Sequence, residues 1–300
     1  MMNSNDLSCK CFQMNKMPKM KQWNDEPIRI DLKDYRCTGG GANGKSYNHR
    51  DDPAVMLKMY DPGKSAQARD EYRISSLVYE TGIPTPAPGD FVTDGQRFGI
   101  RFQRIPGKKS IARAVGDDPQ HVAEYAGDFA QMCLQLHATR VDTSLFDNVK
   151  DRYYRLLEDN PFFTAPEKDR IGRFIADVPD ADTALHGDLQ FGNAIFVGKQ
   201  RYFIDLGDFS YGYPLFDIGM VYVTGKLNKE SFTQETFHMD NATAGKFWEA
   251  FAQAYFGKDR PLASIEEEVR VYAGIKTLMI ERDTRCPMPE FRAALDPILK

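Results

Sequence analysis

The chain has 300 residues, 42% hydrophobic and 27% charged, enough for one large domain or two lobes with a sizeable core. Its formal net charge of -4 gives no basis for a nucleic-acid partner, and no apolar run is long enough to cross a membrane. Five scattered cysteines, Cys9, Cys11, Cys37, Cys133 and Cys286, lack metal-binding spacing and read as free thiols, with the cytoplasm as the expected compartment.

Residues 1–27 are rich in Met and Lys without a continuous apolar stretch, so they read as a disordered tail rather than a signal peptide. Strand patterns come next. Ile28, Ile30 and Leu32 alternate with polar residues, and so do Val55, Leu57 and Met59 around Lys58. Between them, Thr38 to Ser46 satisfies three phosphate-binding patterns at once. Gly39, Gly41 and Gly44 fit a dinucleotide fingerprint and a kinase glycine loop, while Gly39, Gly44, Lys45 and Ser46 fit a Walker A loop. The dinucleotide and Walker patterns need a helix immediately after the loop. Instead the chain continues through a turn-rich segment ending at Pro53 and then the strand carrying Lys58, which is the kinase order.

A helix is expected over Ser65–Glu80, stopped by Gly82 and the Pro84, Pro86, Pro88 series. On it Glu71 shares a stripe with Ile74 and Val78, so a carboxylate faces inward and needs a partner; Lys58 is the natural one, with Asp70 as the fallback to Glu71. Strands near residues 90–93 and 98–103 complete a small sheet, and Ile105-Pro106-Gly107 reads as a hinge. Beyond it the chain turns helical. Asp118-Pro119 should start a helix whose apolar stripe runs through Val122, Tyr125, Ala126, Phe129, Cys133 and Leu136, with His137 as a packed helix-end residue. Thr164 with Glu167, and Ser264 with Glu267, fit capping boxes for two later helices.

The most informative stretch is Leu185-His186-Gly187-Asp188 through Asn193, succeeded by Phe203-Ile204-Asp205-Leu206-Gly207. Residues 195–197 and 202–204 are expected to form a hairpin around Gly198-Lys199-Gln200. In phosphoryl-transfer enzymes an Asp, an Asn and a second Asp at similar spacing supply the base and the magnesium ligands.

These residues resemble the aminoglycoside phosphotransferase and choline kinase superfamily, small-molecule kinases with a protein-kinase-like bilobal fold; the likeness extends upstream to about Asp31. The resemblance implies an α+β architecture, with a small antiparallel-sheet N-lobe at 28–105 and a mainly helical C-lobe at 106–300. It implies ATP and Mg2+ as cofactors, Asp188 as the catalytic Asp, and Asn193 and Asp205 as metal ligands. Gly39, Gly41, Gly44, Lys58 and Glu71 would then serve the phosphates, with adenine near Gln103 and Ile105. Asp217 matches a buried Asp that braces the catalytic loop in such enzymes.

Gly187 stands where protein kinases carry an Arg that pairs with an activation-loop phosphate, and only about a dozen residues separate Asp205 from Asp217, too few for a phosphorylatable loop. A small hydroxylated acceptor of the aminoglycoside, choline or sugar type is therefore expected, with no nucleic-acid or membrane partner. A nucleotide-binding pseudokinase and a protein-kinase-like enzyme are the alternatives. From Thr224 to Lys300 there are 11 Lys and Arg against 12 Asp and Glu. That balance argues against a pocket dedicated to polycations, since the acidic run Glu266, Glu267, Glu268 falls in the first turn of a helix.

Overall fold

The structure is a computed structural model that describes residues 26–41 and 43–300. Residues 1–25 of the expected tail lie outside the described residues.

The alternating segments form one six-stranded sheet. Its strands are β1 (Ile28–Arg29), β2 (Tyr35–Gly41), β3 (Gly44–His49), β4 (Val55–Tyr60), β5 (Pro88–Thr93) and β6 (Phe98–Gln103), in the spatial order β1-β5-β6-β4-β3-β2. The pairs are antiparallel except β1 with β5, which is parallel, so the expected antiparallel sheet carries one parallel edge. Strand alternation sorts β4 between two small cores. Leu57 and Met59 join Ile30, Tyr35 and Val92 on one face, while Met56 and Tyr60 join Ala68, Phe91 and Ile100 on the other. Lys58 shares the second face with Tyr60, and that is the face covered by helix α1 (Ser65–Glu80). Helix α1 buries Ala68, Glu71, Ile74, Leu77 and Val78, as its stripe predicts.

The connection after Gln103 turns at Pro106-Gly107 and enters a short strand, β7 (Lys109–Ser110), then α2 (Ile111–Asp117) with Ser110 as its side-chain N-cap. A 3-10 turn at Pro119–His121 leads into α3 (Val122–Ala138), whose Ala126, Phe129, Cys133 and Leu136 are buried. Helices α4 (Val149–Asp159) and α5 (Ala165–Asp177) come after it, the second closed by the expected Thr164–Glu167 box, with Thr164 N donating to Glu167 at 2.7 Å. Then come β8 (Ala184–Leu185), β9 (Ala194–Val197), β10 (Gln200–Phe203) and β11 (Ser210–Tyr211). β9 and β10 form the expected hairpin across Gly198-Lys199. Helices α6 (Leu215–Tyr222), α7 (Glu230–Phe237), α8 (Asn241–Phe256) and α9 (Leu262–Thr284) build the larger core, in which Phe129 lies against Phe247 and Phe251.

The Ser264–Glu267 box does not form. Helix α9 begins at Leu262, after Pro261 at its N-cap, so Ser264 is already inside the first turn and its N–H bonds the Pro261 carbonyl at 3.0 Å. Proline's fixed φ suits a helix entry, and it moves the start three residues earlier than the Ser pattern suggests. Among the described residues no helix is long and apolar enough to cross a membrane.

The sheet and the helical part meet through backbone bonds, including Phe203 N to Pro84 O at 2.8 Å. The segment between β8 and β9 is also tied to α2, by Ala112 N to Phe191 O at 3.0 Å.

Candidate active site

The glycine loop is the β2–β3 hairpin. Gly39 pairs with Ser46 and Gly41 with Gly44, so the chain leaving the loop is a strand and no helix starts there. This removes the dinucleotide and Walker readings, which place phosphate at a helix N-terminus. Lys45 is exposed. Gly39 and Gly41 have open space where a Cβ would point, whereas a Cβ on Gly44 would sit 2.1 Å from the Met59 carbonyl oxygen. Gly44 thus serves the hairpin itself, and Gly39 and Gly41 leave the loop surface bare.

Lys58 lies at the centre of the site. Its Nζ donates to both Glu71 oxygens at 2.8 Å and to Asp205 Oδ1 at 2.7 Å, joining α1 to the segment after β10. Burial opposes its charge, but Glu71 and Asp205 outweigh that and hold its pKa above the ordinary lysine value. Burial raises the Glu71 pKa, with Asp205 adding to the rise, while Lys58 and Tyr60 pull it back. At Asp205 the order reverses, because Lys58 overcomes burial and lowers its pKa. Asp70, the fallback partner, is exposed.

Asp205 has a left-handed backbone, with φ 62°. The β9–β10 hairpin brings it beside Asn193, since Ile204 N donates to Asn193 O at 2.9 Å. Asn193 Nδ2 donates to the backbone oxygen and Oδ2 of Asp188, each at 3.0 Å, which leaves its amide oxygen as an acceptor. Asp205 commits one oxygen to Lys58 and keeps the other. Two such hard oxygens suit Mg2+, which takes few protein ligands and completes its shell with water and phosphate. Among the described residues no cluster of three or more His, Cys, Asp or Glu gathers into a protein-only metal cage.

Asp188 is half-buried at the same point. Burial raises its pKa, and Asp205 and Asp208 add to the rise while His186 and Lys276 oppose it. Its loop is braced from below. Asp217, fully buried at the start of α6, accepts from His186 N at 2.7 Å and Gly187 N at 2.9 Å. His186 turns its Nε2 to the Ile204 carbonyl at 3.0 Å, so it ties the loop to the segment carrying Asp205. Gln103 lies at the end of β6, its side-chain oxygen accepting from Ala87 N at 3.3 Å, and Ile105 is buried one residue past Arg104. Lys58, Glu71, Asp188, Asn193, Asp205 and Asp217 are thus gathered into one hydrogen-bonded constellation.

A family model described as the phosphotransferase enzyme family matches residues 37–265. The chain belongs to that family. It is a phosphotransferase. No curated protein matches it in sequence. Its fold is similar to a thermostable mutant of aminoglycoside phosphotransferase APH(4)-Ia, with a TM-score of 0.61 at 13% identity over 89% of this chain and 94% of the other. A choline/ethanolamine kinase family protein from Mesorhizobium loti matches with a TM-score of 0.51 at 19% identity, over 88% of this chain and 85% of the other. The ADP-bound aminoglycoside phosphotransferase APH(2'')-Ib matches with a TM-score of 0.53 at 15% identity, over 89% and 92%.

Two residues of this constellation escape a sequence reading. Tyr60 donates its hydroxyl to Glu71, and β4 alternation from Lys58 is the signal that would have found it. His137 is not merely a packed helix end, because it bonds Asp217 at 3.2 Å and the Tyr255 hydroxyl at 2.7 Å. Nothing local in the sequence links His137 to Asp217.

Proposed function

We propose that this phosphotransferase uses ATP and Mg2+ to phosphorylate a hydroxyl of a small neutral or mono-cationic molecule. The observation that carries the reading is the three-way bridge from Lys58 to Glu71 and Asp205, which ties the glycine-loop sheet to the catalytic segment. Residues 28–105 form the nucleotide lobe in this reading, and residues 106–300 hold the catalytic loop and acceptor site. Gly39, Gly41 and Gly44 would cover the phosphates, Lys58 would position them, and adenine would lie near Gln103 and Ile105. Asn193 and Asp205 would hold magnesium, which supplies charge neutralisation at the transferring phosphoryl group. Asp188 aligns the acceptor hydroxyl and accepts its proton as the γ-phosphoryl group moves in line.

The acceptor class rests on charge. Polycationic acceptors call for unpaired carboxylates. In the acidic run, Glu266 already accepts from Trp248 at 2.9 Å and Glu268 pairs with Arg260 at 2.7 Å. A phosphorylation screen over small metabolites and antibiotics tests the reading. Asp188→Asn should cut turnover of any hit by about 10²–10⁴ while nucleotide affinity stays within a few-fold. Near-wild-type kcat in that variant would overturn it. Kanamycin-type compounds turned over with kcat/KM above about 10⁴ M⁻¹s⁻¹ would overturn the acceptor class.

A further inference from the structure

Helix α9 runs as an almost unbroken apolar surface from Val271 to Met279, and Lys276 is in the middle of it. The residue is 1% exposed. A buried ammonium needs strong compensation, because losing its water costs far more than an ordinary packing contact returns. Its partners identify what it is for.

Lys276 Nζ donates to the carbonyl oxygen of Gly187 at 2.7 Å and lies 5.6 Å from the centre of the Tyr153 ring. No carboxylate forms an ion pair with it among the described residues. Its counter-charges are instead Asp217 and Asp188, which act at longer range; together with Tyr153 they overcome burial and hold its pKa above the ordinary lysine value. The side chain is therefore charged.

The Gly187 carbonyl belongs to the peptide group that leads directly into Asp188. The other side of Gly187 is held as well, since its N–H donates to Asp217 Oδ1 at 2.9 Å. Gly187 has φ 86°, and a Cβ there would sit 1.9 Å from the Asp208 carbonyl oxygen. The residue before Asp188 is thus clamped by an anion at its nitrogen, a cation at its oxygen and backbone against its α-carbon. The anion comes from α6 and the cation from α9, two helices that lie against each other.

We propose that Lys276 is a positioning residue for phosphoryl transfer, fixing the peptide plane that aims Asp188 at the acceptor hydroxyl. This rests on Asp188 being the group that aligns that hydroxyl. Lys276 itself is sealed from the cleft and touches no substrate. The geometry also explains why a lysine is needed there: only a long cation can cross from the α9 backbone to the loop and offer several donors at its tip.

The test compares Lys276→Met, which keeps the length and loses the charge and donors, with Lys276→Arg, which keeps both in a bulkier head. Hydrogen exchange read by mass spectrometry, in peptides covering residues 184–193, reports the loop without requiring the acceptor. Magnesium-ATP hydrolysis in the absence of acceptor reports turnover. In Lys276→Met, exchange in 184–193 should rise while the β2–β6 sheet stays as in wild type. Hydrolysis should fall about 10- to 100-fold, the scale of a small misplacement, with the KM for ATP within a few-fold. Lys276→Arg should lie between Met and wild type on both readouts, and it carries the test alone if the Met variant does not fold. Wild-type exchange in 184–193 for the folded variants would overturn the proposal, and so would a rise spread evenly over the chain. Asp188→Asn, run alongside, separates the two readings. If it keeps full turnover, the assignment of Asp188 is at fault; if it loses turnover while the Lys276 variants do not, the positioning role is.

Discussion

Replacing Asp217 tests how the loop at residues 186–188 is held. In the structure one buried carboxylate serves three donors: His186 N at 2.7 Å, Gly187 N at 2.9 Å and His137 at 3.2 Å. Asp217→Ala strands all three away from water. A buried donor without a partner costs about 1–3 kcal/mol, and donors sharing one acceptor do not add fully, so the expected loss is about 3–6 kcal/mol. Against a typical total stability of about 5–15 kcal/mol this is a large fraction. Asp217→Asn keeps one oxygen and should lose less, about 1–3 kcal/mol.

The pH dependence arises from the same contacts. Burial opposes the Asp217 charge, but the hydrogen bond with His137 and the nearby Lys276 hold its pKa below the ordinary carboxylate range. A carboxylate with a lowered folded pKa contributes stability in full above its unfolded value of about 3.9, and loses it as pH falls through the folded value. The gap between wild type and Asp217→Asn should therefore be flat from about pH 5 upward and narrow below about pH 4. Urea unfolding followed by circular dichroism, repeated across that range, measures it. A gap for Asp217→Ala under about 1 kcal/mol at pH 7, or a gap for Asp217→Asn that widens on acidification, would refute the reasoning.

Lys58→Ala should lose most turnover and Lys45→Ala little, because Lys58 bridges Glu71 and Asp205 while Lys45 is exposed; kcat/KM for the pair of variants decides it, and the reverse ranking would restore the Walker reading. Asp205→Ala should weaken Mg-ATP binding as well as turnover, and unaltered binding by calorimetry would move the cation away from this carboxylate. Asp208 would be a poor substitute, since it is already paired with Arg152 at 3.1 Å. Gly187→Ala combines a left-handed backbone with a contact at 1.9 Å, so it should destabilise by about 2–4 kcal/mol, and a denaturation midpoint equal to wild type would show that the loop can relax.

Features that repeat over a few residues are legible in the amino-acid order. Helix α1 occupies Ser65–Glu80 as its stripe implies, and Glu71 faces inward because it shares spacing with Ile74 and Val78. The glycine loop, the strand bearing Lys58 and the Asp188–Asn193 segment were legible for the same reason, since turn chemistry and side-chain alternation are local. The start of α9 departs from its local pattern because two signals compete there, a Ser cap against a proline that fixes the chain three residues earlier. Tertiary structure alone decided the rest. Lys58 meets Asp205 across 147 positions, His137 meets Asp217 across 80, and Lys276 meets Gly187 across 89. The parallel pairing of β1 with β5 is likewise set by where the chain returns. No period in the sequence encodes such contacts. They exist because docked elements leave buried donors, acceptors and charges that must find one another once water is gone.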